Sequence, residues 1–399
     1  MNASSVLGKD WISKNYNEET VNFLKDNFNL SEIVSKLIAI RNIKLDEVKL
    51  FLNPKIKNLL PNPFVLKDME KAVDRTIKGI ENKEKIGIFG DYDVDGATST
   101  AILGNYFKEI NQKAEIYIPD RKTEGYGPSK QGFERLISSG SKLIFTVDCG
   151  TMSFDTIEFS QKKNTDVLVL DHHQSELKLP KAFSVVNPNR HDDKSKLNYL
   201  CAAGVCFMFL VALNKKLREL NWFKKNKIKE PDLMSYLDLV SLGTVCDVVP
   251  LIGLNRAIVS QGLEIFKKKS NLGLKALKNI CGIENNLNTY HLGYILGPRI
   301  NAGGRVGRCS HGANLLLSRD SKEIFKIATE LESYNKERKL IESTMLKKIE
   351  STILIDPKES VIVLSGHNWH EGIIGIIAAR LKEKYNKPTV IISVEKGLG

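Results

Sequence analysis

IGIFGDYDVDGATSTAIL, residues 86–103, decides how this 399-residue chain is read. Ile86-Gly87-Ile88-Phe89-Gly90 has the apolar character of a short buried strand, and Ala101, Ile102 and Leu103 belong to a helix that follows. Between them Asp91, Asp93 and Asp95 put three acids close together, ahead of Gly96. Like charges this near repel, and folding alone does not ask for them. A hard divalent cation does, because carboxylate oxygens are its ligands. An acidic turn with a helix N-cap explains the stretch equally well when it is taken alone. The two readings part on whether other strands deliver more ligands to the same place.

From Lys85 onward the pattern is strand, helix, strand. Apolar, β-rich runs occupy Ile86–Phe89, Ala114–Ile118, Leu143–Val147, Val167–Leu170 and Phe183–Val186, spaced by the lengths that parallel crossovers need. The expected fold class is therefore α/β, a doubly wound parallel sheet. In such sheets ligands bind at the carboxyl ends of the strands. Those ends read Asp91/Asp93/Asp95, then Asp120-Arg121, Asp148-Cys149-Gly150, Asp171-His172-His173 and Asn187-Pro188-Asn189-Arg190. Acids and imidazoles recur at one edge of one sheet, and the set favours a metal site over a series of unrelated caps. Asp247, embedded among Val and Pro in GTVCDVVPL (243–251), is a carboxylate that burial would penalise without a cation. It is the candidate last ligand.

Composition sets wider bounds. The chain is 42% hydrophobic and 27% charged, as soluble globular proteins are. Lys and Arg outnumber Asp and Glu 59 to 47, a net charge of +12 that favours a polyanionic partner. The six cysteines (Cys149, Cys201, Cys206, Cys246, Cys281, Cys309) form no CxxC pair and are expected to be reduced, in the cytoplasm. The N-terminal residues carry no apolar signal core, and the longest apolar run, Val205–Leu213, is far shorter than the ~20 residues of a membrane span.

The remaining segments have simpler readings. Residues 1–80 are expected to be mostly helical, with Pro-broken connectors at FLNP (51–54) and LLPNPFVL (59–66). CAAGVCFMFLVAL (201–213) reads as a helix buried on nearly all sides. Lysines between 211 and 230 read as a solvated face. GPRINAGGRVGR (297–308) reads as a glycine-rich loop bringing Arg299, Arg305 and Arg308 to phosphates. Ser321–Ile353 reads as one long helix joining two domains, with Asn335 and Arg338 facing either a cleft or solvent. From Ser360 a strand, the loop GHNWHEG (366–372), a helix and a strand follow. One such unit is small for a domain, and the chain is expected to be a fragment.

GDYDVDG (90–96), VDCG (147–150), DHH (171–173), GTVCDVVPL (243–251), GPRINAGGR (297–305) and HNWHEGIIGIIAARL (367–381) together resemble the RecJ single-stranded-DNA exonucleases of the DHH phosphoesterase superfamily. WI (11–12) and FLNP…LPNPF fit the same family's N-terminal approach. The resemblance implies a 5′→3′ exonuclease on single-stranded DNA that uses two Mn²⁺ or Mg²⁺ ions. It implies Asp91, Asp93, Asp95, Asp148, His172 and Asp247 as metal ligands, with Asp148 bridging and Asp91 standing where some relatives have His. His173 would sit by the scissile phosphate and Asp171 would orient the imidazoles. Arg121, Tyr126, Arg299, Asn301, Arg305, Arg308, His367, Trp369 and His370 are candidates for holding the strand. Trp369 is expected either to stack on a base or to lie in the core.

The implied domains are an approach segment (1–80), a DHH phosphoesterase domain (81–255), a helical connector with the Arg/Gly-rich motif (256–355) and the start of a DHH-associated domain (356–399). A monomer without membrane contact is expected, with a helicase and a single-strand-binding protein as partners. The family's Ser/Arg loop, GGHxxAAG-like motif and OB-fold do not occur in this sequence. Two alternatives stand beside this reading. One is a DHH-type phosphodiesterase of short oligonucleotides or cyclic dinucleotides, against which the N-terminal extension and the Arg/Gly motif argue. The other is a non-catalytic DNA-binding scaffold, which the intact acids and histidines disfavour.

Overall fold

The computed structural model describes residue 10 and residues 12–284, 286–352 and 359–399. Trp11 and residues 353–358, including the expected end of the long helix, lie outside the described residues. The chain forms two compact units, Met1–Leu59 and Leu60–Gly399.

Among the described residues the first unit holds the α-helices α1 (Glu18–Phe28), α2 (Glu32–Ile40), α3 (Val48–Leu52) and α4 (Ile56–Leu59). Asn17 and Ser31 cap the first two through their side-chain oxygens. Leu24, Ile38 and Val48 form its small core.

The second unit begins earlier than residue 81. α5 (Met69–Glu81) belongs to the sheet, because its apolar face is buried and its Arg75 pairs with Asp166 and Glu84 at 2.5 and 2.8 Å. Then come β1 (Lys85–Gly90), α6 (Val94–Glu109), β2 (Ala114–Tyr117), α7 (Lys130–Ser138), β3 (Ser141–Val147), α8 (Phe154–Lys162), β4 (Asp166–Leu170) and β5 (Ser184–Val186). The five strands are all parallel in the order β2-β1-β3-β4-β5. The order reverses between β1 and β3, so the crevice of a doubly wound sheet opens above those two strands.

Helices cover both faces, which is why the strands read as continuous apolar runs. Phe133, Leu136 and Ile157 from α7 and α8 pack on Phe89, Ile144, Val167 and Val169. On the other face Phe145 lies between Phe107 of α6 and Phe209 of α9 (Ala202–Glu219), with ring centroids 5.5 and 5.4 Å apart. Truncating such a ring to alanine costs about 3–5 kcal/mol. The packing between sheet and helices is thus dominated by apolar side chains, and Asp91, Asp95, Asp148 and Asp171 lie beyond the strand ends.

After α9 the chain continues through α10 (Trp222–Asn226), α11 (Leu237–Cys246), α12 (Gly253–Lys269) and α13 (Leu272–Ile280). A π-helical turn, His291–Leu296, leads into α14 (Gly297–Val306), then α15 (His311–Leu317) and α16 (Ser321–Thr352). The Arg/Gly stretch is therefore a helix and not a loop. Its glycines admit protein neighbours: a Cβ on Gly304 would meet Tyr92 at 2.9 Å, and one on Gly297 would meet Cys246 Sγ at 2.5 Å. At 1.5 Å per residue α16 is about 48 Å long. Asn335 on it is buried, so the solvated-face reading fails for that residue.

β6 (Ile362–His367), α17 (Glu371–Tyr385) and β7 (Thr389–Val394) close the described chain, with β6 and β7 parallel. α17 packs on α16 through Met345, Ile349, Ile373 and Ile377. Trp369 belongs to this cluster at 9% exposure, its ring against Gly366. It is a core residue, which removes it as a base-stacking candidate.

Candidate metal centre

The centre is built on strand ends. β1 stops at Gly90, and the chain turns through Asp91, Tyr92 and Asp93 into α6. Asp93 is the N-cap, its Oδ1 accepting from the Gly96 amide at 3.0 Å. A side chain at Gly96 would lie 2.5 Å from the Asp91 carbonyl, so the turn needs glycine there. The cap and the acidic cluster are thus the same feature. Asp95, in the first turn of α6, is buried and reaches across to α9. Its two oxygens accept from the amides of Ala202 and Ala203 at 2.6 and 2.9 Å. A helix N-terminus presents free amides and a positive dipole end, which suits a carboxylate. The residues CAAG (201–204) signal only core by their composition, and this second role has no local signal in the sequence.

Asp148 follows β3 with φ +60°, the left-handed region that a non-glycine residue seldom takes. Its amide bonds to the Leu170 carbonyl at 3.1 Å, and its own carbonyl accepts from the Tyr126 hydroxyl at 3.1 Å. Asp171 follows β4 and is consumed by hydrogen bonds. Oδ1 accepts from the amides of His172 and His173 and from His173 Nδ1 at 2.7 Å, while Oδ2 accepts from the Thr151 amide at 3.0 Å. Asn187, after β5, donates to the Thr151 hydroxyl and the His173 carbonyl, both at 2.9 Å. Asp247 is the C-cap of α11.

Three groups of side chains have ligand atoms within 4.8 Å of one another: Asp91, Asp93 and Asp148; Asp148, His172 and His173; Asp95, His172 and Asp247. Asp148 and His172 each belong to two of them. His172 Nε2 lies 3.4 Å from Asp148 Oδ1, 3.6 Å from Asp247 Oδ2 and 3.8 Å from Asp95 Oδ2. Asp91 Oδ1, Asp148 Oδ1 and His172 Nε2 are buried without a hydrogen-bond partner. Buried polar atoms are seldom left so. Oxygen-rich groups with one or two imidazoles are the donor set of Mg²⁺- and Mn²⁺-like cations, and the three orphaned atoms fit such ions.

The electrostatics carry the same message. Burial, then the Asp93 charge, pushes Asp91 up to about 7. Burial, then Asp95 and Asp93, pushes Asp247 up to about 7. Burial and the charges of Asp93, Asp95 and Asp91 raise Asp148 well above the carboxylate range. Without cations these acids hold protons to relieve mutual repulsion. Burial would raise Asp171 too, but the hydrogen bond and charge of His173 outweigh it and hold Asp171 below its usual range. His173 gains from the same bond and rises to about 9.

The strand-holding candidates divide. The Tyr126 hydroxyl lies 3.1 Å from His173 Nε2, inside the centre. Arg121 lies over the Tyr92 ring at 5.5 Å. Arg121, Lys122 and Arg305 line a cavity of ≈ 520 Å³ together with Glu371 and Ser393. Burial and the nearby Arg121 and Arg338 guanidiniums lower the pKa of Arg305, which donates to the Gly372 carbonyl at 3.1 Å. Asn301 accepts from the Val94 amide at 3.1 Å, holding the start of α6. Arg308 and His367 are exposed, and His370 caps α17 by accepting from the Gly372 amide at 3.1 Å. Arg299 departs from expectation. Its Nε meets Glu332 at 2.5 Å and its Nη1 the Ile295 carbonyl at 2.7 Å, so its charge is spent inside the protein.

The chain is similar in sequence and fold to known proteins. Residues 85–244 match the DHH family, N-terminal domain. The single-stranded-DNA-specific exonuclease RecJ of Bacillus subtilis is 32% identical over 98% of this chain and 48% of its own length. A crystal structure of exonuclease RecJ bound to manganese superposes with a TM-score of 0.73 at 31% identity, over 82% of this chain and 80% of that one. RecJ from Thermus thermophilus in complex with Mg²⁺ gives a TM-score of 0.71 at 27% identity, over 94% of this chain and 50% of that one. The chain spans about half the length of the Bacillus subtilis relative.

Proposed function

The chain belongs to the RecJ family of DHH phosphoesterases, and from that premise we propose that it hydrolyses single-stranded DNA from the 5′ end with two Mn²⁺ or Mg²⁺ ions. The observation that carries the reading is the set of orphaned atoms, Asp91 Oδ1, Asp148 Oδ1 and His172 Nε2, at the strand ends. Asp91, Asp93, Asp95, Asp148, His172 and Asp247 would hold the cations, with Asp148 shared. When bound, such ions act as Lewis acids and lower the pKa of water, which a phosphodiester needs because its charge repels nucleophiles.

The protein's own groups do the rest. Asp171 accepts from His173 Nδ1, and Nε2, beside the Tyr126 hydroxyl at 3.1 Å, is the atom that would meet the substrate. Water forms the new P–O bond and gives up a proton to solvent, and as the bridging P–O bond breaks Nε2 gives its own proton to the leaving oxygen. The Tyr126 hydroxyl, donated to the Asp148 carbonyl, fixes the loop beside that imidazole. Arg121, Lys122 and Arg305 supply charge for the phosphates of the strand. A helicase and a single-strand-binding protein are the proposed partners, and a monomer the proposed working form. Six free thiols support a reducing compartment, the cytoplasm. Among the described residues no helix is long and apolar enough to cross a membrane.

The test is digestion of a long single strand labelled at either end, with Mn²⁺ or with chelator, using Asp93→Ala as control. Metal-dependent release of mononucleotides from the 5′ end is expected. Turnover of dinucleotides alone would replace this reading with a small-substrate phosphodiesterase.

A further inference from the structure

Tyr290 and Tyr294 leave two large aromatic rings in solvent, 59% and 74% exposed. The rings stack on each other, with centroids 5.3 Å apart and planes 26° apart. The fold does not use these faces: the buried residues of this turn are Leu292 and Leu296. The turn itself, His291–Leu296, is π-helical, a form that is rare and concentrates at functional sites. It is fastened to the last turn of α11. Cys246 Sγ donates to the Leu292 carbonyl at 3.4 Å, and a side chain on Gly293 would meet Val245 at 3.3 Å.

Val245 and Cys246 run directly into Asp247, a member of the metal-ligating groups, and then into Val248. Val248 is 86% exposed and has φ +59°. A β-branched residue in the left-handed region is strained, and such strain collects at ligand sites. One short segment therefore carries an acid of the centre and an exposed strained valine, and against its Val245 and Cys246 packs the π-helical turn, which carries Tyr294 and directly follows Tyr290.

We propose that Tyr290 and Tyr294 form a stacking platform for bases of the same single strand whose phosphate is cleaved, with Val248 against the nucleotide between platform and centre. This rests on the single-strand nuclease reading above. The chemistry fits a base because every base offers a π-face, and exposed aromatic side chains bind single strands without reading sequence. It places part of the strand's affinity on α11 and the π-helical turn, apart from the cations at Arg121, Lys122 and Arg305.

The experiment compares the native chain with the Tyr290→Ala/Tyr294→Ala and Tyr290→Phe/Tyr294→Phe double variants. Both positions are on the surface, so unchanged thermal unfolding checks the fold. The probes are a dT oligonucleotide, the same oligonucleotide with abasic sugars, and a dT dinucleotide, all with Mn²⁺. The alanine pair is expected to raise KM for the oligonucleotide by roughly 5- to 150-fold, the loss of one stacked base. kcat and dinucleotide turnover stay unchanged, and the phenylalanine pair restores KM. The salt dependence of binding also stays unchanged, because no phosphate contact is lost. On abasic substrate the native chain falls to the level of the alanine pair. An unaltered KM in the alanine pair overturns the platform while leaving the nuclease reading intact. A change in sedimentation with no change in KM assigns the tyrosines to a self-contact and overturns it as well. A native chain that cleaves dinucleotides but neither binds nor cleaves the oligonucleotide overturns both readings together.

Discussion

Metal-free protein is expected to lose stability as pH rises, and to regain it with Mn²⁺ while releasing protons. Asp91 and Asp247 rise from the ordinary 3.8 of an aspartate to about 7 in the folded chain. A carboxyl whose folded pKa is raised contributes stability that is complete below its unfolded pKa and lost as pH climbs through the folded one. Three pH units at 1.36 kcal/mol each make the loss about 4 kcal/mol per group between pH 4 and 7. The acids repel one another, so the total is smaller than the sum. His173, raised from 6.5 to about 9, adds a loss of the same sign between those two values. Asp171 works in the opposite sense, because its depressed pKa makes its contribution present at neutral pH and lost in acid. Stability in chelator should therefore be greatest at about pH 4 and fall by several kcal/mol, order of magnitude 4, by pH 8.

Cations displace the same protons. At pH 6 the protons of Asp91 and Asp247 should leave on saturation, together with that of Asp148, whose pKa burial also raises, and the association constant should rise tenfold per proton released per pH unit. Denaturant midpoints at pH 5.5 and 8, with and without Mn²⁺, measure the first effect. Titration calorimetry in two buffers of different protonation enthalpy counts the protons. Asp247→Asn should remove about one of them. Stability in chelator that rises from pH 5.5 to 8, or binding that releases no protons, would refute the reasoning.

Asp148→Ala should abolish hydrolysis and leave circular dichroism unchanged, while metal-free stability at pH 8 increases because one of the repelling carboxyls is gone; retained turnover at saturating Mn²⁺ would remove it from the shared position. Gly243→Ala puts a Cβ 2.7 Å from Asp95 Oδ1 and 2.6 Å from the Thr98 hydroxyl. Calorimetry should show weaker Mn²⁺ binding and unfolding should show a loss of about 1–3 kcal/mol, the usual cost of overpacking; native Mn²⁺ affinity would mean Asp95 is not positioned by that contact. Arg299→Ala should cost about 1–3 kcal/mol of stability by removing the closer partner of Glu332 and leave the salt dependence of DNA binding as it was; a shallower salt slope would return Arg299 to the DNA path.

The sheet and most of the acid cluster were legible in the sequence for one reason. A parallel sheet with helical crossovers must gather its strands' carboxyl ends at one edge. Five apolar runs followed by Asp91/Asp93/Asp95, Asp120, Asp148, Asp171-His172-His173 and Asn187 are therefore read as a place as soon as they are read as strands. Asp247 could be nominated because an unpaired acid among Val and Pro needs a partner. Long-range hydrogen bonding decided the remainder. Asp95 is held by the α9 amides of Ala202 and Ala203, more than a hundred residues away. Arg299 is neutralised by Glu332, which lies on α16. Trp369 is buried because it covers Gly366 and joins the cluster that α16 and α17 form. GPRINAGGR is helical because each glycine removes a side chain where Tyr92, Cys246 or a backbone carbonyl must come close. Sequence spacing determines which residues share a strand or a helix face. Which charges remain free for a ligand depends on what the tertiary fold sets opposite them, and local periodicity carries no record of that.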